Sequence, residues 1–294
     1  MSRSITCDNH NGSRMTFSTD SFSPFILAKV DGIYLSENKI TISDNTMTDG
    51  GTYQGSVKKK RNIVLTLMDK PNNVYNQRNR DALYILFAED TLGTLTYEEN
   101  GVKREVRYYT EKVYKPTGKK SRVITVSLMC ADPFFYDEDN TTVQMANWIA
   151  DFEFIHEFTS AGEEIGHRSG ERLVNIVNDT ATNNIGMTII LEASSDVTNP
   201  RITRVESDTH IQLGSEDYPF EMVNGDVVII TTSMNDKHVY LQRGTTKTEI
   251  NEYMTEESKF IQLMRGDNHI GYTADYGDGY LSVSIQYRMK YSGA

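Results

Sequence analysis

The stretch that decides the fold is CADPFFYD, Cys130–Asp137, near the middle of a chain of 294 residues. It ends an alternating strand at a proline, which has no N–H group to offer a sheet ladder. Three consecutive aromatic residues follow, and they cannot all face one side of a strand, because successive side chains point to opposite faces. We therefore expect a boundary between two domains here. The residues predicted to pack the joint are Pro133, Phe134, Phe135 and Tyr136.

Upstream of this stretch the pattern is mainly β with one helix. Residues 122–129 alternate between two faces, as in a strand. Asn100-Gly101 separates two alternating runs and predicts a tight hairpin, because both residues tolerate positive φ. A helix is expected at about residues 73–89, with Asn72 or Asn73 as its cap. The stripe predicted at helical spacing comprises Ala82, Ile85, Leu86 and Glu89.

Downstream of the stretch, short apolar runs recur about every ten residues and are separated by Gly, Asn and Asp. Clear examples are residues 187–191, 227–230 and 281–287. This spacing is typical of a β-sandwich. The only Trp, Trp148, lies in an alternating run with Phe152 and Phe154, which favours a core or interface role over a platform for sugar stacking.

Composition and charge exclude several classes of function. Hydrophobic residues make up 38% of the chain and charged residues 24%, which is enough for packed cores. The formal net charge of −11 repels phosphate backbones, so specific nucleic-acid binding is not expected. The N-terminus lacks the apolar core of a signal peptide, and no run of 18 apolar residues predicts a membrane span. We expect a protein that is made in the cytoplasm and does not bind membranes.

No catalytic or metal-binding pattern stands out. The six His residues are isolated from other ligands, and Cys7 and Cys130 are too few for a disulfide framework. The acidic turns at 137–139 and 275–279 lack the ligand spacing of a calcium loop and are expected to be solvated. The sequence thus predicts neither an enzyme nor a cofactor.

One set of motifs resembles a known family. Residues 122–135 resemble the strand and stop found midway in the distal tail proteins (Dit) of long-tailed, siphovirus-type phages. Residues 266–272 and 284–293 resemble that family's closing pair of strands. The order of strands, helix, hairpin, strand and stop matches the family's first domain. The resemblance covers nearly the whole chain.

The resemblance implies a structural virion protein at the distal end of the tail. Residues 1–133 would form a ring-forming β-barrel or β-sandwich domain, residues 134–139 a joint, and residues 140–294 an outer galectin-like β-sandwich. It implies a homo-hexameric ring that joins the tail tube protein to the tail-tip hub and its tail-associated lysin, and that also anchors a receptor-binding protein. DNA would pass through the ring without specific binding.

Two basic clusters precede strands, and one becomes a candidate assembly contact within this resemblance. A basic cluster alone favours a solvated loop. In a ring whose subunits are acidic, the first cluster would instead meet an acidic neighbour. Its members are Lys58, Lys59, Lys60 and Arg61.

Two other functions remain open at this stage. A monomeric carbohydrate-binding or adhesin-type β-sandwich protein would stack Trp148 or exposed tyrosines on sugar rings. A tail-associated hydrolase would need an acid–base pair or a metal site, and the sequence singles out neither.

Overall fold

The computed structural model divides the chain into two compact units, Met1–Glu138 with Lys290–Ala294, and Asp139–Met289. The last five residues therefore lie with the first unit, whereas the sequence analysis placed them in the second domain. The residues that the structure describes are 3–19, 24–70, 76–114, 122–145, 148–150, 166–168, 172–180, 182 and 184–294.

The first unit contains a closed barrel of seven strands. Its elements in chain order are β1 (Arg3–Asp8), β2 (Arg14–Ser18), β3 (Phe25–Asp31), β4 (Asn38–Asp44), β5 (Gly51–Lys58), β6 (Arg61–Asp69), α1 (Asn76–Leu86), β7 (Leu92–Glu99), β8 (Val102–Tyr114), β9 (Val123–Cys130) and β10 (Phe135–Asp137). The barrel wall runs β8-β7-β1-β2-β3-β6-β9, and pairing of β9 with β8 closes it. All wall pairs are antiparallel except β2 with β3. Closure removes the free edges that an open sheet exposes.

The barrel interior is filled by the inward-facing residues of alternating strands. Ile63, Leu65 and Leu67 of β6 are fully buried. They lie opposite inward-facing residues of β9, namely Leu128, Val126 and Ile124. Burying each such side chain stabilises the fold by about 1.5–3 kcal/mol. The predicted alternation of residues 122–129 is confirmed by β9, whose residues are alternately buried and partly exposed.

Helix α1 packs on the barrel core with a different face from the predicted one. Leu83, Leu86 and Phe87 are buried, while Ile85 is 60% exposed. The buried stripe begins at Leu83 and continues at Leu86 and Phe87, because residues three and four positions apart share one face of a helix. The expected inclusion of Ile85 is therefore wrong, and that of Leu86 is correct. The predicted cap at Asn72 or Asn73 lies outside the described residues.

The Asn100-Gly101 hairpin is confirmed. Strands β7 and β8 pair on either side of this dipeptide, with Glu98 opposite Lys103. Asn100 has a φ of 53° and Gly101 a φ of 82°. Both values are positive, as the two central residues of a type I′ turn require.

Strands β4 and β5 form a separate two-stranded sheet that does not join the barrel wall. Every residue of β4 is exposed, and β5 is exposed except for partial burial of Gly55 and Lys58. An isolated two-stranded hairpin has little stability of its own in water. This sheet, residues 38–58, is called the projecting hairpin below.

The second unit is an antiparallel β-sandwich. Its strands are β11 (Thr141–Gln144), β12 (Trp148–Ala150), β13 (Gly166–Arg168), β14 (Leu173–Asn178), β15 (Met187–Ala193), β16 (Val197–Arg204), β17 (Thr209–Gln212), β18 (Glu221–Met222), β19 (Val227–Ser233), β20 (Asp236–Arg243), β21 (Thr246–Glu249), β22 (Gly266–Tyr276) and β23 (Leu281–Tyr287). One sheet has the order β11-β23-β15-β19-β20-β21, and the other has the order β14-β22-β16-β17, with β18 beside β16. Strands β12 and β13 pair with each other.

One hydrophobic core joins the two sheets of this sandwich. It contains Ile189 and Val283 from the first sheet and Ile202 and Ile270 from the second. The mainly β prediction with one helix is confirmed, and the runs at 187–191, 227–230 and 281–287 are strands. The final short strand, β24 (Lys290–Tyr291), pairs with β10 in the first unit.

Candidate assembly site

The predicted joint is a brief interruption between two strands of the first unit. Strand β9 ends at Cys130, and β10 begins at Phe135 and pairs with β8 and β24. Phe135 is fully buried in the core of the first unit, because the alternation resumes there and turns this side chain inward. The expectation that the aromatics pack a joint between the domains therefore does not describe Phe135. For Pro133, Phe134 and Tyr136 the joint role remains a prediction.

Asp132 shapes the turn between these strands. Its Oδ1 accepts a hydrogen bond from the Phe134 backbone N–H at 3.1 Å, and its Oδ2 accepts one from the Tyr136 hydroxyl at 2.6 Å. An aspartate that binds the N–H two residues later mimics a backbone turn. After this turn the chain returns to the sheet, where β10 runs antiparallel to β8, in the same direction as β9.

Arg61 is buried in the first unit, between the segment that follows β9 and the C-terminal segment. The residue is only 2% exposed. The guanidinium donates hydrogen bonds to four backbone carbonyls, here called the Arg61 network. The acceptors are the carbonyl oxygens of Gly32 at 2.5 Å, Tyr34 at 2.5 Å, Pro133 at 2.7 Å and Ser292 at 2.6 Å. It also lies 4.8 Å from the centre of the Phe135 ring, a cation–π distance.

This burial changes the interpretation of the basic cluster. Burial lowers the pKa of Arg61, but an arginine stays protonated at physiological pH. Its planar fork of five donors suits several carbonyls at once. Arg61 therefore links segments of the first unit to one another by hydrogen bonds. Its side chain is not accessible to a neighbouring subunit in the structure, so the expected assembly contact does not describe this residue. Lys59 and Lys60 are exposed, and Lys58 is partly exposed.

Gly32 allows the chain to approach the backbone of β6 closely at Asn62. Its φ is +85°, a conformation that favours glycine. A Cβ at this position would lie 2.0 Å from the backbone oxygen of Asn62. No other residue type fits here without moving the backbone.

The returning C-terminal segment is held by further cation contacts. Arg104 lies 3.8 Å from the centre of the Tyr291 ring and donates a hydrogen bond to the Gly293 carbonyl at 2.6 Å. The backbone N–H of Ala294 donates to the carbonyl of Ile33 at 2.9 Å. These bonds place residues 290–294 beside the segment that leads into the projecting hairpin.

Phe134 lies between two lysines. Lys290 Nζ is 3.9 Å and Lys58 Nζ is 5.7 Å from the centre of its ring. Burial lowers the pKa of Lys290, and the nearby Asp132 partly opposes that shift. Two members of the predicted sets, Lys58 and Phe134, thus lie together at the base of the projecting hairpin.

The projecting hairpin carries an exposed apolar face that sequence analysis did not single out. Ile40 and Ile42 are each 58% exposed and share one face of β4, and Tyr53, 62% exposed, lies directly opposite Ile42. The opposite face carries polar residues such as Thr41 and Ser43. In the sequence, this apolar face could have been found from the alternation of isoleucine with polar residues at 39–43.

The acidic turns that might have bound calcium make other contacts. Glu138 forms an ion pair with Lys103 at 3.0 Å, Asp278 pairs with Arg172, and Asp275 accepts a bond from Asn199 at 2.8 Å. Over the described ranges, no three His, Cys, Asp or Glu side chains are grouped as a metal site. No helix in that part of the chain is long and apolar enough to cross a membrane. The Trp148 side chain lies outside the described part.

Comparison with known proteins matches this architecture to phage tails. Residues 180–291 match the family model of the siphovirus-type tail component, C-terminal domain. No curated protein sequence matches the chain significantly.

Solved structures share the fold across the whole chain. The Dit protein (gp 19.1) of SPP1, described as a paradigm of the hub adsorption apparatus in Gram-positive infecting phages, is 15% identical, with a TM-score of 0.67 over 98% of this chain and 99% of that one. A chain of the phage P2 baseplate in its activated conformation with Ca is 14% identical, with a TM-score of 0.53 and full coverage of both chains.

At these identities the structural likeness shows a common fold, and the family match adds the tail component assignment for residues 180–291. The family and the fold are those of a structural tail protein rather than an enzyme. Residues 180–291 therefore match the siphovirus-type tail component family, and the chain as a whole has a Dit-like fold.

Proposed function

We propose that this protein forms a six-membered ring at the distal end of a siphovirus-type tail, where it connects the tail tube to the tail-tip hub and anchors a receptor-binding protein. The observation that carries the ring is the apolar face of the projecting hairpin. Exposed apolar patches of this kind mark surfaces that a partner covers.

Covering this face would contribute a substantial part of the energy of a subunit contact. Fully burying a side chain such as Ile contributes about 1.5–3 kcal/mol, so a side chain that is 58% exposed retains about 1–2 kcal/mol of that term. Ile40, Ile42 and Tyr53 together offer about 3–5 kcal/mol for each subunit contact. In a head-to-tail contact that closes, every subunit both gives and receives this surface.

Electrostatics give the exposed lysines a role at the same contact. Lys58, Lys59 and Lys60 end and follow β5, at the base of the hairpin. The chain carries a formal net charge of −11, so a neighbouring copy presents mostly acidic surface to this local positive charge. A ring of such acidic subunits also repels phosphates, which suits a passage for DNA without specific binding.

The experiment compares two charge insertions on opposite faces of one strand. Ile42→Asp places a carboxylate on the apolar face, and Thr41→Asp places the same group on the polar face. Light scattering of the wild-type protein should give six times 33.4 kDa, about 200 kDa, alone or with the purified tail tube and hub proteins. Ile42→Asp should leave a folded 33.4 kDa monomer, and Thr41→Asp should assemble.

Two results would overturn the proposal. A wild-type chain that stays monomeric with and without its tail partners contradicts the ring. An Ile42→Asp variant that assembles as well as Thr41→Asp contradicts the hairpin as its contact, because a buried unpaired carboxylate is costly.

A further inference from the structure

The base of the projecting hairpin is held by a segment that is distant in sequence. Residues 32–37, called the hairpin root below, lead from β3 to β4 without forming a strand or a helix. Three consecutive carbonyls at 32–34 accept hydrogen bonds, the outer two from Arg61 and the middle one from the backbone N–H of Ala294. The root is therefore fixed by its backbone at the point where the chain leaves the barrel.

The backbones of the root and of the distant segment lie close together. A Cβ at Gly293 would lie 3.1 Å from the carbonyl carbon of Tyr34, which is tighter than most Cβ contacts. Ile33 is buried in the barrel core, whereas Tyr34 is 62% exposed. Residues 293 and 294 thus pack beside the last buried residue before the hairpin.

Residues 290–294, called the latch below, are bound to the first unit along their length. Strand β24 pairs with β10. Arg104 contacts the Tyr291 ring and donates to the Gly293 carbonyl. Bonds from charged donors and cation–π contacts are stronger than ordinary polar contacts at a surface. In the folded protein the latch is therefore closed, and the root is fixed with it.

The latch follows the second unit along the chain. The chain leaves the first unit after Glu138 and returns to it at Lys290. If residues 139–289 were unfolded, pairing of β24 with β10 would close a long flexible loop. Loop-closure entropy disfavours such pairing by about three orders of magnitude.

Folding of the second unit removes this penalty. Strands β11 and β23 lie near the two ends of residues 139–289 and pair with each other, with Thr141 opposite Tyr287. The folded second unit therefore brings its own ends together. Strands β10 and β24 can then pair without closing a long loop, so closure of the latch depends on folding of the second unit.

We propose that the latch is an assembly checkpoint, which fixes the projecting hairpin only in chains whose second unit has folded. This inference rests on the role of the hairpin in the ring proposed above. An unlatched root leaves the hairpin free to adopt several orientations. Only the fraction with the correct orientation binds a neighbouring copy, so the apparent affinity falls with that fraction. Chains with a misfolded second unit are thereby kept out of the ring.

The test loosens the latch without changing the hairpin. The double variant Arg104→Ala/Ala294→Pro removes the ring contact, the bond to the Gly293 carbonyl and the N–H that proline lacks. Its matched control is Arg107→Ala/Ala294→Gly, which removes an exposed arginine of the same strand and keeps the N–H.

The orientation of the hairpin is measured as the distance distribution between two spin labels. The labels are attached at Thr41→Cys on β4 and Val102→Cys on β8, both exposed positions, while the native Cys7 and Cys130 are buried. An added Ile42→Asp change blocks the proposed ring contact, so that each distance is measured within one copy. The width of the distribution should increase about twofold in the double variant and stay unchanged in the control.

Two further measurements connect the latch to assembly and to the second unit. In chains without labels or Ile42→Asp, the protein concentration needed for assembly in light scattering should rise about tenfold in the double variant but not in the control. Val283→Asp places an unpaired carboxylate in the core of the second unit and should unfold that unit. It should also broaden the label distance about twofold. In the unlabelled variant, the buried Cys7 and Cys130 should stay protected from a thiol reagent, because the barrel remains folded.

The proposal is overturned if the double variant has the same distribution width as its control, or if the width increases while assembly is unchanged. It is also overturned if Val283→Asp leaves the width unchanged, or if it exposes the two cysteines, because the second unit would then support the whole barrel. A wild-type chain that never assembles contradicts the ring, whereas the label widths still decide whether the latch fixes the hairpin.

Discussion

Replacing Arg61 with alanine tests the most connected internal contact of the first unit. The variant removes one guanidinium and leaves four carbonyl acceptors, which belong to Gly32, Tyr34, Pro133 and Ser292, without that donor. A hydrogen bond from a charged donor contributes about 1.5–3 kcal/mol, and a buried acceptor left without a partner costs about 1–3 kcal/mol. We take about 4 kcal/mol, which is a factor of about a thousand in an equilibrium constant.

The loss of stability should be local, because the Arg61 network joins the segment of β10 and the C-terminal segment to the barrel and does not hold the barrel itself together. Hydrogen exchange of backbone amides measures such local opening. Amides at 135–137 and 290–294 should exchange about a thousandfold faster in Arg61→Ala. Arg61→Lys should destabilise these segments by about 2 kcal/mol, which lies between the wild type and Arg61→Ala, because lysine has three donors and lacks the planar fork. Lys60→Ala, at the exposed neighbour, should change nothing beyond about 0.5 kcal/mol.

The reasoning would be refuted by a small or misplaced effect. If Arg61→Ala speeds these amides no more than Lys60→Ala does, the four hydrogen bonds do not hold the segments. If the amides of the central barrel strands respond equally, Arg61 supports global folding rather than this tie.

Three further predictions concern individual residues. The hydrogen bonds from Arg243 hold the pKa of Asp226 below its usual value. The stabilisation that this carboxylate gives the folded state is therefore complete above about pH 4 and is lost as the pH falls through the folded-state pKa. Asp226→Asn should lower the free energy of unfolding by about 1–2 kcal/mol at pH 7, given that Arg243 is exposed, and should make that free energy less dependent on pH in the acid range. Gly32→Ala should lower the free energy of unfolding of the first unit by more than about 2 kcal/mol in urea titrations, because its Cβ would strike the Asn62 carbonyl. Burial raises the pKa of the Cys130 thiol to about 12, so native protein at pH 8 should react with a thiol reagent only at the rate of unfolding.

The sequence predicted the parts of the fold that depend on neighbours along the chain. Alternation within β9 and the Asn100-Gly101 turn are local signals, because side-chain period and positive φ act over a few residues. The stripe of α1 was misassigned at Ile85, since the choice of buried face depends on which side meets the barrel.

The parts that were missed depend on distant segments. Arg61 looks like any basic loop residue until Gly32, 29 positions before it, and Ser292, 231 positions after it, bring their carbonyls to its guanidinium. Phe135 looked like a joint residue because Pro133 stops β9, yet β10 can restart beside β8 and receive β24. The pairing of β10 with two strands that are distant in sequence cannot be predicted from the residues around Pro133 alone.

The apolar face of the projecting hairpin was visible in sequence but ambiguous. Ile40 and Ile42 alternate with polar residues, as in any half-buried strand. Only the structure shows that the strand lies outside the barrel and that the face is exposed. Exposure of this pattern, rather than the pattern itself, points to assembly.

Cryo-electron microscopy of the tail end of virions that carry a tag on this protein tests the central claim most directly. The account predicts six tagged copies in one closed ring between the tail tube and the hub, with the Ile40 and Ile42 face of each hairpin covered by the adjacent copy. A ring of another order, a location elsewhere on the virion, or hairpins whose apolar face stays exposed to solvent would contradict it.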